Sequence, residues 1–445
     1  MVVMGLGVGG EEVAGRLASA GLNVVGVENT LVGGECPYWG CIPTKIMVRA
    51  GSALAEARRI PLVAGTSTVT PDWAPVAKKI RDQATDDWND KVAVDRFTGK
   101  GGHFVRGTAQ VTGPGRVQVG DQVFEAGRGV VIATGTSAVI PPIDGLAGTP
   151  YWTNRDAVEA ASLPESMIVL GGGAIGCELA QVFARFGVRV TVVEGSPRLL
   201  AMEEPESSQV AEQVFAADGI EMRTGVHAGK VTYGDGFTLT LDDGTVVTGE
   251  KLLVATGRAA RIRDLGLEHL GIDTSTRFIK TDEWMRAGDN VWAVGDVTGN
   301  GVFTHMAFYE ADVAVRDILG EGGAPADYRA KPRVTFTDPE IGAVGLTEKE
   351  ARDAGLNVRV GYLPLTSTTR GFIHGPGSEG FLKLIADHDR GVLVGGTTAG
   401  PAGGEMIGAL SVAVHAEVPV STLLGTIWAY PTFHRGLGEA VKQLL

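Results

Sequence analysis

The sequence predicts an α/β protein with two Rossmann-like, three-layer ββα dinucleotide-binding domains and a C-terminal α+β domain. Three observations lead to this fold class. An apolar strand, a glycine-rich turn and a helix follow one another from Val2 to Glu28, and the same order returns from Met167 to Glu194. From about Arg333 onward the pattern changes to the short strands and helices of a mixed domain. Alternating strands and helices are typical of parallel sheets.

The composition is that of a multidomain enzyme rather than a disordered, nucleic-acid-binding or membrane protein. A length of 445 residues allows roughly three domains, and 44% hydrophobic residues are enough to build their cores. The net charge of −13 disfavours nucleic acid or an anionic membrane as a partner. Because the sequence has no apolar run of membrane-spanning length and starts directly with a strand, we predict a cytoplasmic protein.

The first glycine-rich turn contains Gly5, Gly7 and Gly10, and Glu28 closes the following strand 23 positions after Gly5. Glycine lets the chain turn sharply and lets a pyrophosphate approach the N–H groups of a helix N-terminus, while the acid accepts the ribose hydroxyls. A GxGxxG pattern alone is a weak signal, and the alternative is a tight turn without a ligand. Strand, helix and acid in the right order favour a dinucleotide site.

The second glycine-rich turn contains Gly171, Gly173 and Gly176, and Glu194 follows Gly171 by the same 23 positions. Two such turns predict two dinucleotides. A carboxylate at Glu194 would bind an adenosine ribose and repel a 2′-phosphate, which favours NADH, with NADPH as the alternative. Arg198 is near enough in sequence to weaken this preference, but we interpret it as a solvated surface cation.

The segments between and after these units complete the domain organisation. Short alternating segments from Val105 to Val131 predict a β-meander, and a similar passage, FTLTLDDGTVVTGEKLLVATG, follows the second unit. The chain therefore resembles a duplicated architecture with diverged halves. Residues 320–332, rich in glycine, proline and charge, are the best candidate for a linker.

Three cysteines occur, too few for a secreted disulfide framework and wrongly spaced for a zinc site. Cys36 and Cys41 lie in GGECPYWGCIPTK. In a regular helix they would be roughly 140° apart around the axis, so a bridge requires a distorted turn, which Pro37 and Gly40 can supply. Cys177 starts a helix and is interpreted as a packed small side chain.

The close cysteine pair is predicted to be redox-active. A helix N-terminus lowers a thiol pKa, and Lys45, four residues after Cys41, adds positive charge on the same face. The alternatives are a structural disulfide, which a reducing cytoplasm disfavours, and two unrelated buried thiols.

The segment GGECPYWGCIPTK resembles the GGTCxNxGCxPSK signature of the flavoprotein disulfide reductases, the class I pyridine nucleotide-disulfide oxidoreductases that include dihydrolipoamide dehydrogenase and mercuric reductase. VVIATGTSAVIPPIDG, VWAVGDVTGNGVFTHMA and VTFTDPEIGAVGLTEKEA resemble further motifs of this family. The resemblance is collinear over nearly the whole chain. It implies an FAD-binding domain at 1–150 and 276–325, an NAD(P)-binding domain at 151–275, and a dimerisation domain at 330–445 that forms a homodimer.

The resemblance also implies roles for individual residues. FAD would have Glu28 on its ribose, Lys45 near the isoalloxazine and Asp296 on the ribitol chain. The rest of its cradle would be formed around Gly107, Gly135, Phe303, Thr304 and His305. The nicotinamide nucleotide would bind Gly171, Gly173, Gly176, Glu194 and Gly257, with Glu178 near the flavin and paired with Lys45. Hydride would pass to FAD and on to Cys41, and Cys36 would attack a small disulfide or related sulfur substrate.

The C-terminus departs from the family's HPTxxE motif. Tyr430 stands at the histidine position and Arg435 at the glutamate position. A phenol with a pKa near ~10 is a poorer base at neutral pH than an imidazole near ~6.5, although it can donate a proton. We expect Tyr430 and His434 to act in the partner's site, with His434 or Glu439 compensating for the missing pair.

Other features leave alternatives open. Tyr38 and Trp39 between the cysteines could narrow the approach to Cys36 or could be ordinary packing. His374 and His415 show no metal-ligand spacing, so we predict no metal. The missing His-Glu pair supports a second hypothesis, a quinone, metal-ion or oxidant reductase that uses the dithiol as a relay. However, the chain ends VKQLL without the cysteine pair of mercuric reductase. The third hypothesis is a flavin-bearing redox sensor.

Overall fold

The computed structural model describes residues 1–445 and contains 23 strands. They are β1 (Val2–Met4), β2 (Val25–Glu28), β3 (His103–Arg106), β4 (Ala109–Gly113), β5 (Arg116–Val119), β6 (Gln122–Glu125), β7 (Val130–Ile132), β8 (Thr136–Ala138), β9 (Ser166–Leu170), β10 (Arg189–Glu194), β11 (Glu221–Thr224), β12 (Ala228–Tyr233), β13 (Phe237–Leu241), β14 (Val246–Gly249), β15 (Lys251–Val254), β16 (Arg258–Ala260), β17 (Arg286–Gly288), β18 (Val291–Ala293), β19 (Pro332–Thr335), β20 (Glu340–Gly345), β21 (Val358–Pro364), β22 (Phe381–Asp387) and β23 (Val392–Gly400).

The chain also contains 14 α-helices. They are α1 (Val8–Ser19), α2 (Glu35–Tyr38), α3 (Cys41–Val63), α4 (Ala74–Lys79), α5 (Lys91–Gly99), α6 (Asn154–Glu159), α7 (Ala174–Arg185), α8 (Pro205–Ala217), α9 (Thr304–Leu319), α10 (Glu348–Asp353), α11 (Thr369–His374), α12 (Gly403–His415), α13 (Val420–Leu424) and α14 (Phe433–Val441). A π-helical turn covers Ile80–Ala84, and short 3₁₀ turns cover Leu267–Leu270, Gly295–Thr298, Leu365–Ser367 and Lys442–Leu444. No helix combines the length and the apolar character needed to cross a membrane.

The chain divides into two compact units. The first contains Met1–Thr44, Lys78–Val139 and Arg258–Asp327. The second contains Lys45–Ala77, Ile140–Gly257 and Tyr328–Leu445. The predicted α/β class is confirmed, and the boundaries of the three expected domains stay a prediction.

The first unit is built on a six-stranded sheet in the order β17-β18-β7-β1-β2-β3. β1 pairs in parallel with both β2 and β7, and the residues of β1 and β7 are all buried. Short, wholly apolar strands are typical of a parallel sheet covered on both faces. The predicted β-meander is confirmed as the antiparallel sheet β4-β5-β6, whose apolar residues join the core of this unit.

The second unit repeats this pattern and adds the C-terminal sheet. β11-β10-β9-β15 form a parallel sheet, and β12-β13-β14 form the second antiparallel meander. The C-terminal sheet is antiparallel in the order β19-β20-β23-β22-β21, and α12 and α14 pack apolar residues against it. The first residues of α10 are fixed by a capping box between Thr347 and Glu350.

A buried lysine connects the C-terminal sheet with the start of α8 in the second unit. Lys383 on β22 is 3% exposed. Its ammonium contacts Glu204 and Glu206 at 2.9 Å and Glu348 at 3.0 Å. Burial alone lowers the pKa of Lys383, but the hydrogen bonds that its ammonium donates to the three carboxylates outweigh burial and raise it. The ion cluster therefore holds the start of α8, the start of α10 and the centre of β22 together.

Candidate active site

The first glycine of each glycine-rich turn has the same backbone geometry. Gly5 has φ +92° and Gly171 has φ +114°. A Cβ atom on Gly5 would lie 2.4 Å from the carbonyl oxygen of Ala133, and one on Gly171 would lie 2.4 Å from that of Ala255. Both turns therefore require glycine for conformation and for space.

The third glycine of each turn allows the helix to approach the strand closely. A Cβ on Gly10 would lie 2.0 Å from the Gly5 oxygen, and one on Gly176 would lie 1.9 Å from the Gly171 oxygen. These contacts leave no room for a side chain at either position.

The middle glycines instead border open space. A Cβ on Gly7 would meet its nearest atom at 3.9 Å, and one on Gly173 would meet nothing within 4 Å. Each of these glycines directly precedes α1 or α7, so a pyrophosphate has space against helix N-terminal N–H groups. Both turns fit a dinucleotide.

Glu28 is held in place by the turn that it follows. One carboxylate oxygen accepts a hydrogen bond from the Leu6 N–H at 2.8 Å, and the other accepts one from the Thr30 N–H at 2.8 Å. Glu28 is buried at the end of β2. A carboxylate fixed in this way is oriented to accept further hydrogen bonds from ribose hydroxyls.

Glu194 repeats this arrangement in the second unit. Its carboxylate accepts hydrogen bonds from the N–H groups of Gly172 and Ser196, both at 2.6 Å. The same acid therefore orders the second turn and remains at the end of β10.

Arg198 is not the solvated surface cation that we expected. Its guanidinium donates to the carbonyl oxygens of Leu200, Ala201 and Glu203 at 3.2, 2.8 and 2.8 Å, and to the Ser208 hydroxyl at 2.6 Å. The sequence interpretation was wrong because these acceptors come from a loop and from α8, which sequence proximity does not reveal. Arg198 fixes the loop that follows Glu194.

Asp296 lies in the 3₁₀ turn Gly295–Thr298, and burial raises the pKa of its carboxyl group. The Thr136 hydroxyl donates to it at 2.8 Å, and the Arg258 guanidinium donates to the same hydroxyl oxygen at 2.7 Å. Asp296 is therefore oriented by a threonine that an arginine in turn holds. Sequence reasoning missed both supporting residues because they lie far from Asp296 in sequence.

A second buried carboxylate, Glu310 on α9, shapes this turn. It accepts hydrogen bonds from the Gly295 N–H at 2.7 Å, the Thr298 hydroxyl at 3.0 Å and the Asn300 side-chain amide at 3.1 Å. Sequence analysis also missed Glu310. Its only signal is a charged residue within the apolar face of α9.

The remaining predicted cofactor residues lie at turns. Gly107, Gly135 and Gly257 all have positive φ and stand next to strand ends, directly after β3, directly before β8 and directly before β16. Phe303 precedes α9, and its ring stacks on His305 with centroids 5.3 Å apart. Gly107, Gly135 and the Phe303–His305 segment all belong to the first unit.

The cysteine pair stands at a break between two helices. Cys36 lies in α2, which ends at Tyr38, and α3 begins at Cys41. The predicted distortion between the cysteines is thus present. Both residues are thiols rather than a disulfide, and their side chains are hydrogen-bonded to each other. This hydrogen bond and burial raise the pKa of Cys36.

Thr304 also contacts this pair. The Cys41 Sγ lies 3.1 Å from the Thr304 hydroxyl oxygen, although 263 positions separate the two residues. Each stands at the first residue of a long helix, α3 and α9 respectively. Helix N-termini stabilise negative charge, so this geometry favours a thiolate at Cys41.

The expected ion pair between Lys45 and Glu178 is present in the second unit. The ammonium lies 2.7 Å from the Glu178 carboxylate and 4.6 Å from the centre of the Phe336 ring. The Phe336 N–H donates to the other Glu178 oxygen at 2.8 Å. Phe336 belongs to the VTFTDPE motif, which sequence analysis found without assigning its phenylalanine.

Three residues near the motifs are packing residues. Tyr38 and Trp39 are each 6% exposed, and their ring centroids lie 5.8 Å apart, which favours the packing interpretation of both rings. Cys177 is fully buried, as expected, and its thiol donates to the Gly172 carbonyl oxygen. Burial raises the pKa of this thiol, so it is a poor nucleophile.

The C-terminal residues lie in the second unit. Tyr430 is 69% exposed, and its hydroxyl lies 3.4 Å from that of Thr369. His434 is half-buried on α14. Glu439 forms ion pairs with Arg435 at 2.6 Å and with Lys442 at 2.8 Å, so its carboxylate is engaged with cations rather than with His434. No group of three or more His, Cys, Asp or Glu side chains is arranged to hold a metal ion.

Family models match nearly the whole chain. One described as "Pyridine nucleotide-disulphide oxidoreductase" matches residues 1–316, and its dimerisation-domain counterpart matches residues 331–441.

Individual proteins give the same result. A dihydrolipoyl dehydrogenase of Chlorobaculum parvum is 34% identical over all of this chain and 97% of its own length. A mercuric reductase of Acidithiobacillus ferrooxidans is 33% identical over 98% of this chain and 81% of its own length. The solved Cu(II) complex of RclA, an HOCl-induced flavoprotein disulfide reductase of Escherichia coli, has a TM-score of 0.87 at 26% identity, covering 99% of this chain and 98% of that one.

Proposed function

Because the chain belongs to the pyridine nucleotide-disulphide oxidoreductase family, we propose that it passes electrons from reduced nicotinamide nucleotide through FAD and the Cys36–Cys41 pair to a small disulfide or related sulfur substrate. The chain is an oxidoreductase of a family that uses FAD and NAD(P)H. When bound, FAD supplies the two-electron chemistry that links a hydride donor to a pair of thiols.

The observation that carries this proposal is the position of the cysteine pair. Cys36 and Cys41 are hydrogen-bonded thiols in the same unit as the first glycine-rich turn and Asp296. Cys41 is at a helix N-terminus beside a hydroxyl group, while Cys36 has the raised pKa. This difference suits a pair in which Cys41 carries the negative charge and Cys36 holds a proton until substrate arrives.

The thiol chemistry balances as follows. Two electrons and one proton break the Cys36–Cys41 disulfide and leave a Cys41 thiolate and a Cys36 thiol. The Cys36 proton and one proton from solvent later convert the two released product thiolates to thiols. The Cys36 sulfur, once deprotonated, attacks the substrate disulfide, forms a mixed disulfide and releases the first product thiol. Cys41 then attacks Cys36, restores the internal disulfide and releases the second product thiol.

We propose cofactor residues from the family resemblance, and the shape of the two glycine turns supports the assignment of those turns. FAD is proposed to bind Gly5, Gly7, Gly10 and Glu28, with Asp296 on the ribitol chain. Its cradle would be completed by Gly107, Gly135, Phe303, Thr304 and His305. The nicotinamide nucleotide is proposed to bind Gly171, Gly173, Gly176, Glu194 and Gly257. Lys45 and Glu178 would act as a pair near the flavin.

NADH is the proposed coenzyme. The Glu194 carboxylate is fixed where it would bind ribose hydroxyls and repel a 2′-phosphate. The cation nearest to it in sequence, Arg198, is already bound by four protein acceptors.

A homodimer is proposed from the C-terminal domain. Large apolar side chains are exposed there, with Ile427 at 97% and Phe372 at 83%. Such exposure is typical of a surface that another chain covers. Tyr430 and His434 would then serve the partner's cysteine pair. A cytoplasmic location, predicted from the sequence, remains part of the proposal.

The test is anaerobic reduction by NADH followed by a panel of acceptors. We expect NADH to reduce the purified protein by four electrons, two in FAD and two in the dithiol. Cys36→Ser and Cys41→Ser should each remove the second two electrons and abolish reduction of lipoamide or glutathione disulfide. Cys177→Ser, a change at the remaining cysteine, should preserve both. Disulfide reduction that survives in Cys36→Ser would refute the proposal.

The C-terminus favours a second candidate, reduction of a metal ion, quinone or oxidant through the same dithiol. Tyr430 offers no base of ordinary histidine pKa, and Glu439 is paired with Arg435 and Lys442. A metal ion that accepts electrons from the dithiol releases no thiolate product, so its reduction does not require a side chain that exchanges a proton with a leaving group. Rapid Cu(II) or quinone reduction with negligible lipoamide reduction would select this candidate, and the opposite result would eliminate it.

A further inference from the structure

The Cys41 sulfur has one hydroxyl neighbour that is positioned to hold its charge. Thr304 Oγ1 lies 3.1 Å from Cys41 Sγ, which is within hydrogen-bond distance for sulfur. A thiolate has no proton and can only accept a hydrogen bond. When Cys41 is a thiolate, the Thr304 hydroxyl must therefore be the donor. Hydrogen bonds to a charged acceptor are stronger than neutral ones and favour the charged form.

The other threonine near the pair has a different partner. The Thr44 hydroxyl donates to the Gly40 carbonyl oxygen at 2.8 Å, one turn back along α3. Its hydrogen is thereby committed to the backbone. The Thr304 hydroxyl also influences Cys36: the hydrogen bond with the Cys41 side chain and burial raise the pKa of Cys36, whereas the Thr304 hydroxyl and the Cys41 backbone lower it. The short contact of 3.1 Å, however, is the one between Thr304 Oγ1 and Cys41 Sγ.

Thr304 is held firmly enough to act at a fixed distance. It is the first residue of the 16-residue helix α9, and the Met306 N–H donates to the Phe303 carbonyl oxygen at 3.0 Å. Glu310, fully buried on α9, ties the same helix to the turn that carries Asp296.

The titratable groups closest in sequence to Cys41 and Thr304 lie on α2, α3 and α9. α2 contributes the Cys36 thiol, hydrogen-bonded to Cys41, and the carboxylate of Glu35. α3 contributes Lys45, whose ammonium is paired with Glu178. α9 contributes His305, whose exposed ring stacks on Phe303.

We propose that the Thr304 side chain is a positioning group that donates a hydrogen bond to the Cys41 thiolate and stabilises the negative charge on that sulfur. The inference rests on the proposed function, because it assigns a role within the dithiol. It gives the Thr304 hydroxyl a task separate from the cofactor contact expected of the Phe303–His305 backbone.

The test measures the titration of Cys41 directly. In the holoenzyme carrying Cys36→Ala, the rate of Cys41 alkylation by iodoacetamide is followed against pH by peptide mass spectrometry. Cys177 is fully buried and gives a separate peptide. Thr304→Val, which keeps the shape and removes the hydroxyl, should raise the apparent pKa of Cys41 by about one unit or more. Below that pKa, alkylation should slow about tenfold.

Two further variants make the result decisive. Thr304→Ser keeps a hydroxyl and should restore the wild-type titration to within a few tenths of a unit. Thr98→Val, on the exposed surface of α5, loses a hydroxyl bonded to the Val94 carbonyl and should change nothing. The same titrations on protein from which flavin has been removed distinguish a direct effect of Thr304 on the Cys41 pKa from an effect of flavin loss. An unshifted Thr304→Val titration, or a Thr304→Ser titration matching that of valine, would overturn the inference.

The outcome is distinguishable from failure of the proposed function. If NADH still reduces the dithiol while Thr304→Val leaves the Cys41 titration unchanged, the inference fails and the function stands. If NADH does not reduce the wild-type dithiol, the function fails regardless of how Cys41 titrates.

Discussion

The Gly172 N–H donates a hydrogen bond of 2.6 Å to the Glu194 carboxylate, so the acid and the glycine turn of the second unit fix each other. The Leu6 N–H and Glu28 form the same contact in the first unit at 2.8 Å. In both units the acid is ordered by the protein itself, and a bound nucleotide need not reorganise it.

Coenzyme preference should depend on Glu194. Glu194→Gln removes the charge that repels a 2′-phosphate, so the ratio of kcat/KM for NADH over NADPH should fall by about tenfold or more. Steady-state kinetics with both coenzymes checks this. Glu221→Gln, an exposed carboxylate on the adjacent strand β11, should leave the ratio unchanged. A wild-type enzyme that prefers NADPH would contradict the assignment.

Alanine at the third glycine of either turn should impair binding of only the cofactor assigned to that turn. Gly10→Ala drives a Cβ against the Gly5 oxygen and should lower the FAD content of the purified protein. Gly176→Ala should retain FAD but slow its reduction by NADH. Absorbance spectra and stopped-flow reduction distinguish the two. Gly99→Ala, where a Cβ meets nothing within 4 Å, is the matched control. FAD loss confined to Gly176→Ala would reverse the assignment.

Removing the buried lysine should destabilise the second unit. Lys383→Met leaves Glu204, 2% exposed, without its cation and should cost about 3–5 kcal/mol in the free energy of unfolding. The double variant Lys383→Met/Glu204→Gln should recover part of the lost unfolding free energy, because it no longer buries a carboxylate without its cation. Urea unfolding monitored at constant FAD concentration checks both. Equal stability of Lys383→Met and wild type would contradict this role.

The same cluster predicts a direction for alkaline pH. The pKa of Lys383 is raised on folding, so its contribution is fully present below the ordinary lysine value of 10.5 and is lost as pH rises above it. The difference in unfolding free energy between wild type and Lys383→Met should therefore be constant near neutrality and shrink above that value. If this difference in unfolding free energy instead vanished in mild acid, titration of the glutamates alone, rather than of Lys383, would control it.

Tyr430 should behave as a proton donor if the acceptor is a small disulfide. Tyr430→Phe removes the hydroxyl and should lower lipoamide turnover by about tenfold. Tyr430→His should raise it and introduce a pH dependence with a pKa of about 6.5. The control is Tyr362→Phe, a partly exposed tyrosine on β21. If Tyr430→Phe leaves turnover intact, the phenol has no part in proton transfer.

The exposed apolar surface of the C-terminal domain should be the dimer contact. Ile427→Lys should convert the dimer to a monomer with loss of disulfide turnover, as sedimentation velocity and kinetics would report. Met202→Lys alters an equally prominent apolar side chain, 83% exposed, outside residues 331–441 and should not change the mass. A wild-type monomer at working concentration would refute the homodimer.

The sequence predicted those parts of the site that are local in the chain. Each glycine turn and its acid lie within one strand-turn-helix-strand unit, so spacing alone located Glu28 and Glu194. The contact of Cys41 with Thr304 and that of Lys383 with Glu204 join residues 263 and 179 positions apart. Such contacts depend on tertiary packing, which periodicity does not encode.

Arg198 illustrates the same limit of prediction from sequence. Its place four residues after Glu194 suggested either a coenzyme contact or exposure to solvent. The acceptors that bind it are mostly backbone carbonyl oxygens, and their direction depends on local turns rather than residue type. Sequence therefore identified the residue as relevant but could not identify its partners.

The break between α2 and α3 places the two cysteine sulfurs on helices of very different length. Cys41 begins a helix of 23 residues, whereas Cys36 lies on a single turn of four. A disulfide between them would bring the two sulfur atoms to about 2.05 Å, and we expect the shorter element to take up that movement. If the pair cycles between dithiol and disulfide as proposed, the 23-residue helix need not move when the bond forms.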